Sequence, residues 1–231
     1  MPTVTVDDLS MYYEWHGADD AEPMVVICGL GNDISQFQPL IDGLARRYRV
    51  LAFDNRGAGR TDKPDEPYTI EQMAADTAGL MHAAGLPHAA VLGISMGGRV
   101  ALALALAEPA MVDRLILAST GARVVGSWRR ALTIRLAAFA SARGPHPQPG
   151  YAFRRQAAAS QGFDATPRLG EIRAPALILH AVDDRVAPLA IAEEMHAGLS
   201  GSVMRTFRGG HAFMLMKGRE EFLDAVSADD S

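Results

Sequence analysis

The sequence predicts an α/β protein: a mostly parallel sheet with helices on both faces, after an antiparallel start. Two observations carry this. Short apolar runs such as Met24-Val25-Val26-Ile27-Cys28 and Leu115-Ile116-Leu117-Ala118 are continuous rather than alternating, as strands buried on both faces must be. Between such runs lie segments with apolar residues three and four apart, the period of an amphipathic helix, and the two kinds of segment alternate along the chain.

In order, residues 3–6 and 11–16 read as two short strands around the turn at Asp7-Asp8. The strand at 24–28 runs into Gly29-Leu30-Gly31-Asn32-Asp33. A helix over 34–46 follows, with Phe37, Leu40, Ile41 and Leu44 on one face. Residues 49–53 form a strand that ends in Asp54-Asn55-Arg56-Gly57-Ala58-Gly59-Arg60-Thr61, and 68–84 a helix burying Ile70, Met73, Ala74, Thr77, Leu80 and Met81. Then come a strand at 89–92, a helix at 97–107 and a strand at 115–118. From Gly121 to Gly170 the alternation stops, leaving helix candidates at 127–142 and 151–160 around a Gly-Pro break. It resumes with a strand at 176–180, a helix at 189–199, a strand at 202–207 and a last helix at 219–226, before a polar end expected to fray. The expected division is therefore a core of residues 1–118 and 175–231, with 119–174 inserted as a short helical cap.

A length of 231 residues suits one domain with a large core, and 48% hydrophobic against 21% charged residues is an ordinary globular profile. A net charge of −5 without a basic tail argues against nucleic acid as a partner. One cysteine rules out an internal disulfide and a multi-cysteine metal site, and suits a reducing compartment. The first eight residues lack the basic start and apolar centre of a signal peptide, and the apolar run at 100–107 is far too short to span a bilayer. The expectation is a cytoplasmic protein without a membrane segment; no sequence feature speaks to oligomeric state.

The chemistry centres on Gly93-Ile94-Ser95-Met96-Gly97, between a predicted strand and a predicted helix. Gly-x-Ser-x-Gly at such a junction is a nucleophile elbow: small residues allow a turn tight enough to lift the hydroxyl clear of the sheet. A serine nucleophile needs a base, and histidine is the usual one near neutral pH. Of seven histidines, His211 in Gly209-Gly210-His211-Ala212-Phe213 follows the last strand, where a loop reaches the carboxyl edge of the sheet. His82, His88, His146 and His196 suit solvated positions, and His180, ending a strand, is a candidate for a supporting role. The third member, which orients the imidazole, comes from the loop after the 176–180 strand, where both Asp183 and Asp184 stand. The order serine, aspartate, histidine is that of serine hydrolases built on an α/β sheet. Candidate oxyanion donors are the amides of Met96, after the nucleophile, and Leu30, between Gly29 and Gly31.

With these stretches in order, the chain resembles the α/β-hydrolase superfamily, and within it the cytoplasmic esterase, lactonase and carbon–carbon hydrolase group that includes the cofactor-free haloperoxidases. The resemblance rests on residues 28–33, 54–61, 93–98, 176–188 and 209–213. It implies the α/β-hydrolase fold and an acyl-enzyme hydrolase acting on a small ester, thioester or lactone, with no metal or organic cofactor. The family's Gly-x-x-Asp-x-x-x-Pro register falls on Asp184 and Pro188, which implies Asp184 as the triad acid and leaves Asp183 to loop hydrogen bonding. Carbon–carbon hydrolysis, perhydrolysis and a biosynthetic lyase or cyclase reaction use the same residues. A non-catalytic binding protein that kept the fold is the alternative of another class. Cys28 stands where the family commonly has histidine, Ala181 where it commonly has glycine, and the cap is shorter than the group's usual one. Cys28, Trp128 and Phe213 are candidates for the pocket lining, with Met96 and Met214 beside them. Asp54, Arg56, Gly57, Gly59 and Thr61 are expected to serve structure. The insertion carries eight arginines and one acid, Asp164, between 121 and 169. Most are expected to face water or pair with the body, and one or two, Arg129 and Arg130 foremost, could attract an anionic substrate.

Overall fold

The computed structural model describes residues 3–126 and 128–228, with side chains of the helix near 128 described from Ile134 onward. Two strands, β1 (Thr3–Val6) and β2 (Leu9–His16), pair antiparallel. The remaining strands are β3 (Glu22–Ile27), β4 (Tyr48–Phe53), β5 (Ala89–Ile94), β6 (Val112–Ala118), β7 (Ala176–Ala181) and β8 (Val203–Phe207). The eight form one sheet in the order β1-β2-β4-β3-β5-β6-β7-β8, antiparallel as far as β4 and parallel from β4 to β8. The helices are α1 (Ile34–Leu44), α2 (Ile70–Ala83), α3 (Met96–Ala107), α4 (Trp128–Ser141), α5 (Gly150–Gly162), α6 (Leu189–Gly198) and α7 (Arg219–Ser227). The expected segments are all present, with ends shifted by up to three residues. Among the described residues three short 3-10 segments, Pro109–Met111, Thr166–Glu171 and Phe213–Leu215, were not expected.

The parallel strands β3 to β7 bury both faces, while the edge strand β8 is partly exposed. Val25, Ile27, Leu51, Phe53, Val91, Leu115 and Ile178 share a core with α2 and α3, while Met24, Val26, Val50, Leu92, Ile116 and Leu177 meet α1 and α7. Helix ends are set by side chains: Asp33 Oδ1 accepts from Ser35 N–H at 2.9 Å at the start of α1, and Thr69 Oγ1 from Gln72 N–H at 3.0 Å at the start of α2.

One feature of the topology positions the site. From β3 the chain crosses through α1 to β4 on one side, then returns through α2 to β5 on the other. The carboxyl ends of β3 and β5 therefore lie side by side with their connections diverging, which opens a crevice where such sheets bind ligands. The loop at Gly29 leaves β3 there and Ser95 leaves β5.

The motif at 54–61 makes the kind of loop hydrogen bonds and charge pairs expected of a structural element. Asp54, fully buried, accepts from Ile34 N–H and Arg60 N–H, each at 2.8 Å, and from Arg60 Nε–H. Arg56 makes a two-pronged pair with Asp76 at 2.7 and 2.8 Å, and Thr61 donates to Asp54 O.

Candidate active site

Ser95 sits at φ +56°, ψ −115°, a strained conformation for a residue other than glycine, between β5 and the first turn of α3. The glycines around it are dictated by space. A Cβ on Gly93 would meet Gly97 O at 2.5 Å, one on Gly97 would meet Ile27 O at 2.1 Å, and one on Gly98 the Thr120 side chain at 2.4 Å. The strand, the elbow and the start of α3 thus approach more closely than any side chain permits.

His211 reaches Ser95 from the loop after β8, with Nε2 2.9 Å from Oγ. Its Nδ1 lies 2.7 Å from Asp184 Oδ2. A carboxylate only accepts, so Nδ1 carries the proton and Nε2 is left to accept from the serine hydroxyl. Asp184 is buried and its other oxygen accepts from Val186 and Ala187 N–H at 2.8 and 2.9 Å, which fixes the carboxylate in the plane His211 needs. Asp183 is exposed and contributes its N–H to Gly209 O at 3.2 Å. The three expected residues converge; the alternative aspartate does not.

His180 lies beneath this triplet, fully buried, with Nε2–H donating to Ala187 O at 2.7 Å and standing 3.7 Å from Asp184 Oδ2. Burial holds its pKa below the usual histidine value. In the unfolded chain His180 takes up a proton near pH ~6.5, whereas the folded chain holds it neutral to lower pH. Below that point the unfolded state binds more protons, so His180 erodes stability as pH falls. Changing His180 to Gln, whose amide also donates to Ala187 O, is expected to make stability less pH-dependent between pH ~7 and ~5, by up to one proton's worth of slope. Urea unfolding at several pH values measures this, and an unchanged slope counts against it.

The loop after β3 packs on the nucleophile: a Cβ on Gly29 would lie 3.3 Å from Ser95 Cβ. Asn32 N–H closes a turn onto Gly29 O at 3.2 Å, with Gly31 at φ +72°. Asn55 Nδ2–H donates to Cys28 O at 3.0 Å, tying the loop to the 54–61 turn. The Leu30 amide stands on this turn, and the Met96 amide opens α3, where first-turn N–H groups have no partner within the helix.

A cavity of about 200 Å³ opens above Ser95 and His211. Leu30, Phe37, Ile94, Met214 and Leu215 from the body line it, as do Val124, Val125, Ile134 and Ala137 from the linker and α4, and Ser160 from α5. Both helices of 119–174 thus reach the cavity. Two pocket expectations are corrected. Cys28 continues the β3 run into the core, fully buried with burial pushing its thiol pKa well up, and does not line the cavity. Phe213 turns its ring inward, 4.7 Å from Phe207 and 5.9 Å from Phe222, while its neighbours Ala212 and Met214 face the cavity. The Trp128 side chain, and those of Arg129 and Arg130, lie outside the described residues.

Other insertion arginines are engaged with acids: Arg123 with Glu194 at 3.0 Å, Arg155 with Asp65 at 3.1 Å and Arg168 with Glu171 at 2.8 Å. The cavity cation that sequence reasoning missed is Arg99, 6% exposed, whose Nη2–H donates to Ser160 Oγ at 2.8 Å. Its position four residues after Ser95, hence one helical turn on, was the available signal. Among the described residues no carboxylate lines the cavity, no group of three or more His, Cys, Asp or Glu could hold a metal ion, and no helix is long and apolar enough to cross a membrane.

Comparison with known proteins agrees with this fold. Residues 22–144 match the family model of the alpha/beta hydrolase fold. RutD of Variovorax paradoxus (strain S110), named as an inferred carbamate hydrolase, is 31% identical over 240 residues, 88% of this chain and 90% of that protein. The enol-lactonase of Burkholderia xenovorans LB400 superposes with a TM-score of 0.86 at 26% identity over 98% of both chains. The esterase EaEST of Exiguobacterium antarcticum does so with a TM-score of 0.86 at 25% identity, over 98% of this chain and 97% of that one.

Proposed function

This chain belongs to the alpha/beta hydrolase family, and from that premise we propose that it is a serine hydrolase cleaving a small ester, thioester or lactone through an acyl-enzyme. The observation that carries the reading is the unbroken chain of hydrogen bonds from Ser95 Oγ through His211 to Asp184 at the floor of a cavity.

Ser95 Oγ attacks the carbonyl carbon while His211 Nε2 takes its proton, and Asp184 stabilises the imidazolium that forms. The oxyanion lies between the Leu30 and Met96 amides. His211 then protonates the leaving alkoxide or thiolate, which departs from an ester and stays tethered in a lactone. Water, deprotonated by the same imidazole, releases the acyl group. Every step uses groups of this chain and substrate, with no metal or organic cofactor. Residues 119–174 serve as the cap over a core of 1–118 and 175–231, and the cavity volume sets the small substrate size. We place the reaction in the cytoplasm, where the lone buried thiol of Cys28 suits a reducing medium.

The cavity wall is apolar apart from its serines, Asn32, His211 and two arginines, and since Arg123 is already paired with Glu194 it is Arg99 that favours a substrate whose far end is acidic. Changing Arg99 to Gln is expected to lower kcat/KM for a carboxylate-bearing ester about tenfold to a hundredfold more than for its neutral counterpart, the worth of a charge-assisted hydrogen bond. Equal losses contradict an anionic substrate.

The general reading is tested by pre-steady-state kinetics on nitrophenyl esters, aryl carbamates and chromogenic lactones, the carbamate being suggested by the RutD relatives. A burst of nitrophenol equal to the enzyme concentration supports an acyl-enzyme. Turnover on none of them contradicts this substrate range.

A further inference from the structure

We propose that Gln156, on α5, is a positioning residue for oxyanion stabilisation: it holds the turn that carries the Leu30 amide in its working conformation. The inference rests on the reading of Leu30 as an oxyanion donor.

The turn runs from Gly29 to Asn32, closed by Asn32 N–H to Gly29 O at 3.2 Å, with Gly31 at φ +72° in its third position. A four-residue turn with positive φ there has a nearby alternative in which the central peptide, here Leu30–Gly31, rotates and the third residue returns to negative φ. That rotation reverses the Leu30 carbonyl but not the Leu30 N–H, which belongs to the preceding peptide. The N–H is held through Gly29 O of that same peptide, which Asn32 N–H bonds only while the turn stays closed. Glycine at position 31 allows either form, so the turn alone does not decide.

Helix α5 decides. The Gly31 N–H, which belongs to the central peptide, donates to Gln156 Oε1 at 3.1 Å. The Phe153 ring, one turn earlier on the helix, covers the other side, since a Cβ on Gly31 would lie 2.6 Å from its Cε2. Rotating the peptide breaks the hydrogen bond inside a site from which water is excluded, Gln156 being fully buried.

The orientation of Gln156 is itself fixed. Its Nε2 donates to Arg56 O at 2.8 Å, and its Oε1 also accepts from Gln148 Nε2 at 3.0 Å, which donates in turn to Gly57 O at 2.7 Å. Exchanging the amide oxygen and nitrogen would set Nε2 against two donors and Oε1 against a carbonyl, so only one placement satisfies the network. The insertion therefore does more than roof the cavity: one of its helices sets the geometry of a backbone donor that catalysis uses.

The test separates this role from simple docking of α5. Gln156→Met keeps length and removes the acceptor; Gln156→Asn keeps the amide but falls short of Gly31 and serves if the first variant folds poorly. Both are expected to lower kcat tenfold to a hundredfold, part of the loss seen when a whole oxyanion donor is removed. KM should stay within about twofold, and affinity for a trifluoromethyl ketone, which forms the tetrahedral adduct, should fall with kcat/KM. Gln156→Glu keeps an acceptor for Gly31 N–H but sets its other oxygen against Arg56 O, and should recover only part of kcat. Tyr151→Phe removes a bond from α5 to Lys63 O without touching the turn, and should lower the melting temperature while leaving kcat alone. An unchanged kcat in both the Met and Asn variants, a rise in KM alone, or an equal loss in Tyr151→Phe overturns the proposal. The underlying reading fails separately, if wild-type Ser95 takes no fluorophosphonate label.

Discussion

Ser95→Ala is expected to lower kcat/KM by on the order of 10⁵-fold to 10⁶-fold, to near the background left by binding and the oxyanion donors. The loss should be this large because no other nucleophile is at hand. Cys28 is the only thiol, and it is buried with its pKa pushed up rather than poised as a thiolate. The fold should survive. The Ser95 side chain caps no N–H of α3, and its positive φ strains alanine about as much as serine. The melting temperature should therefore move little while turnover on every accepted substrate collapses. A variant that folds and retains turnover would contradict the mechanism.

The second large effect distinguishes two adjacent aspartates. Asp184→Asn should lower kcat by about 10⁴-fold, because an amide nitrogen presented to His211 Nδ1 favours the tautomer that cannot take the serine proton. The Val186 and Ala187 amides, which now donate to Asp184 Oδ1, give the remaining oxygen an anchor and press the NH₂ group toward His211. Asp183→Asn should stay within a fewfold of wild type, since its side chain is exposed and its contribution to the loop is a backbone bond to Gly209 O. Steady-state kinetics of the pair on one substrate decides, and comparable losses in both would place the acid wrongly.

What the sequence revealed and what it hid follow from the range of the interactions. The continuous apolar runs of β3, β5, β6 and β7 are read directly, because a strand buried on both faces has no room for alternation. Ser95, with glycines at 93 and 97, is legible for the same local reason: close backbone approach admits nothing larger. His211 is found by its place after a strand at the carboxyl edge, a criterion that Asp183 and Asp184 meet equally, and only the family's Asp-x-x-x-Pro register picks out Asp184. Of the pocket lining, Met214 was legible, while Cys28 and Phe213 misled. Whether Cys28 or Leu30 faces the cavity depends on where the strand ends and the turn begins, a matter of one residue. Phe213 misleads because a 3-10 turn at 213–215 rotates it inward while presenting Met214. Gln156 gives no signal at all, since its partner Gly31 lies 125 positions away. The arginine-rich composition of the insertion drew the search for an anion site outward, whereas the buried cavity guanidinium sits on the elbow helix at Arg99.

The central claim, a serine nucleophile activated by His211, is tested most directly by intact-mass and peptide analysis after treatment with a fluorophosphonate. The account predicts one adduct per chain, on the peptide containing Ser95, absent from Ser95→Ala and formed far more slowly in His211→Gln. No adduct on the folded protein, or an adduct elsewhere that abolishes turnover, would contradict it.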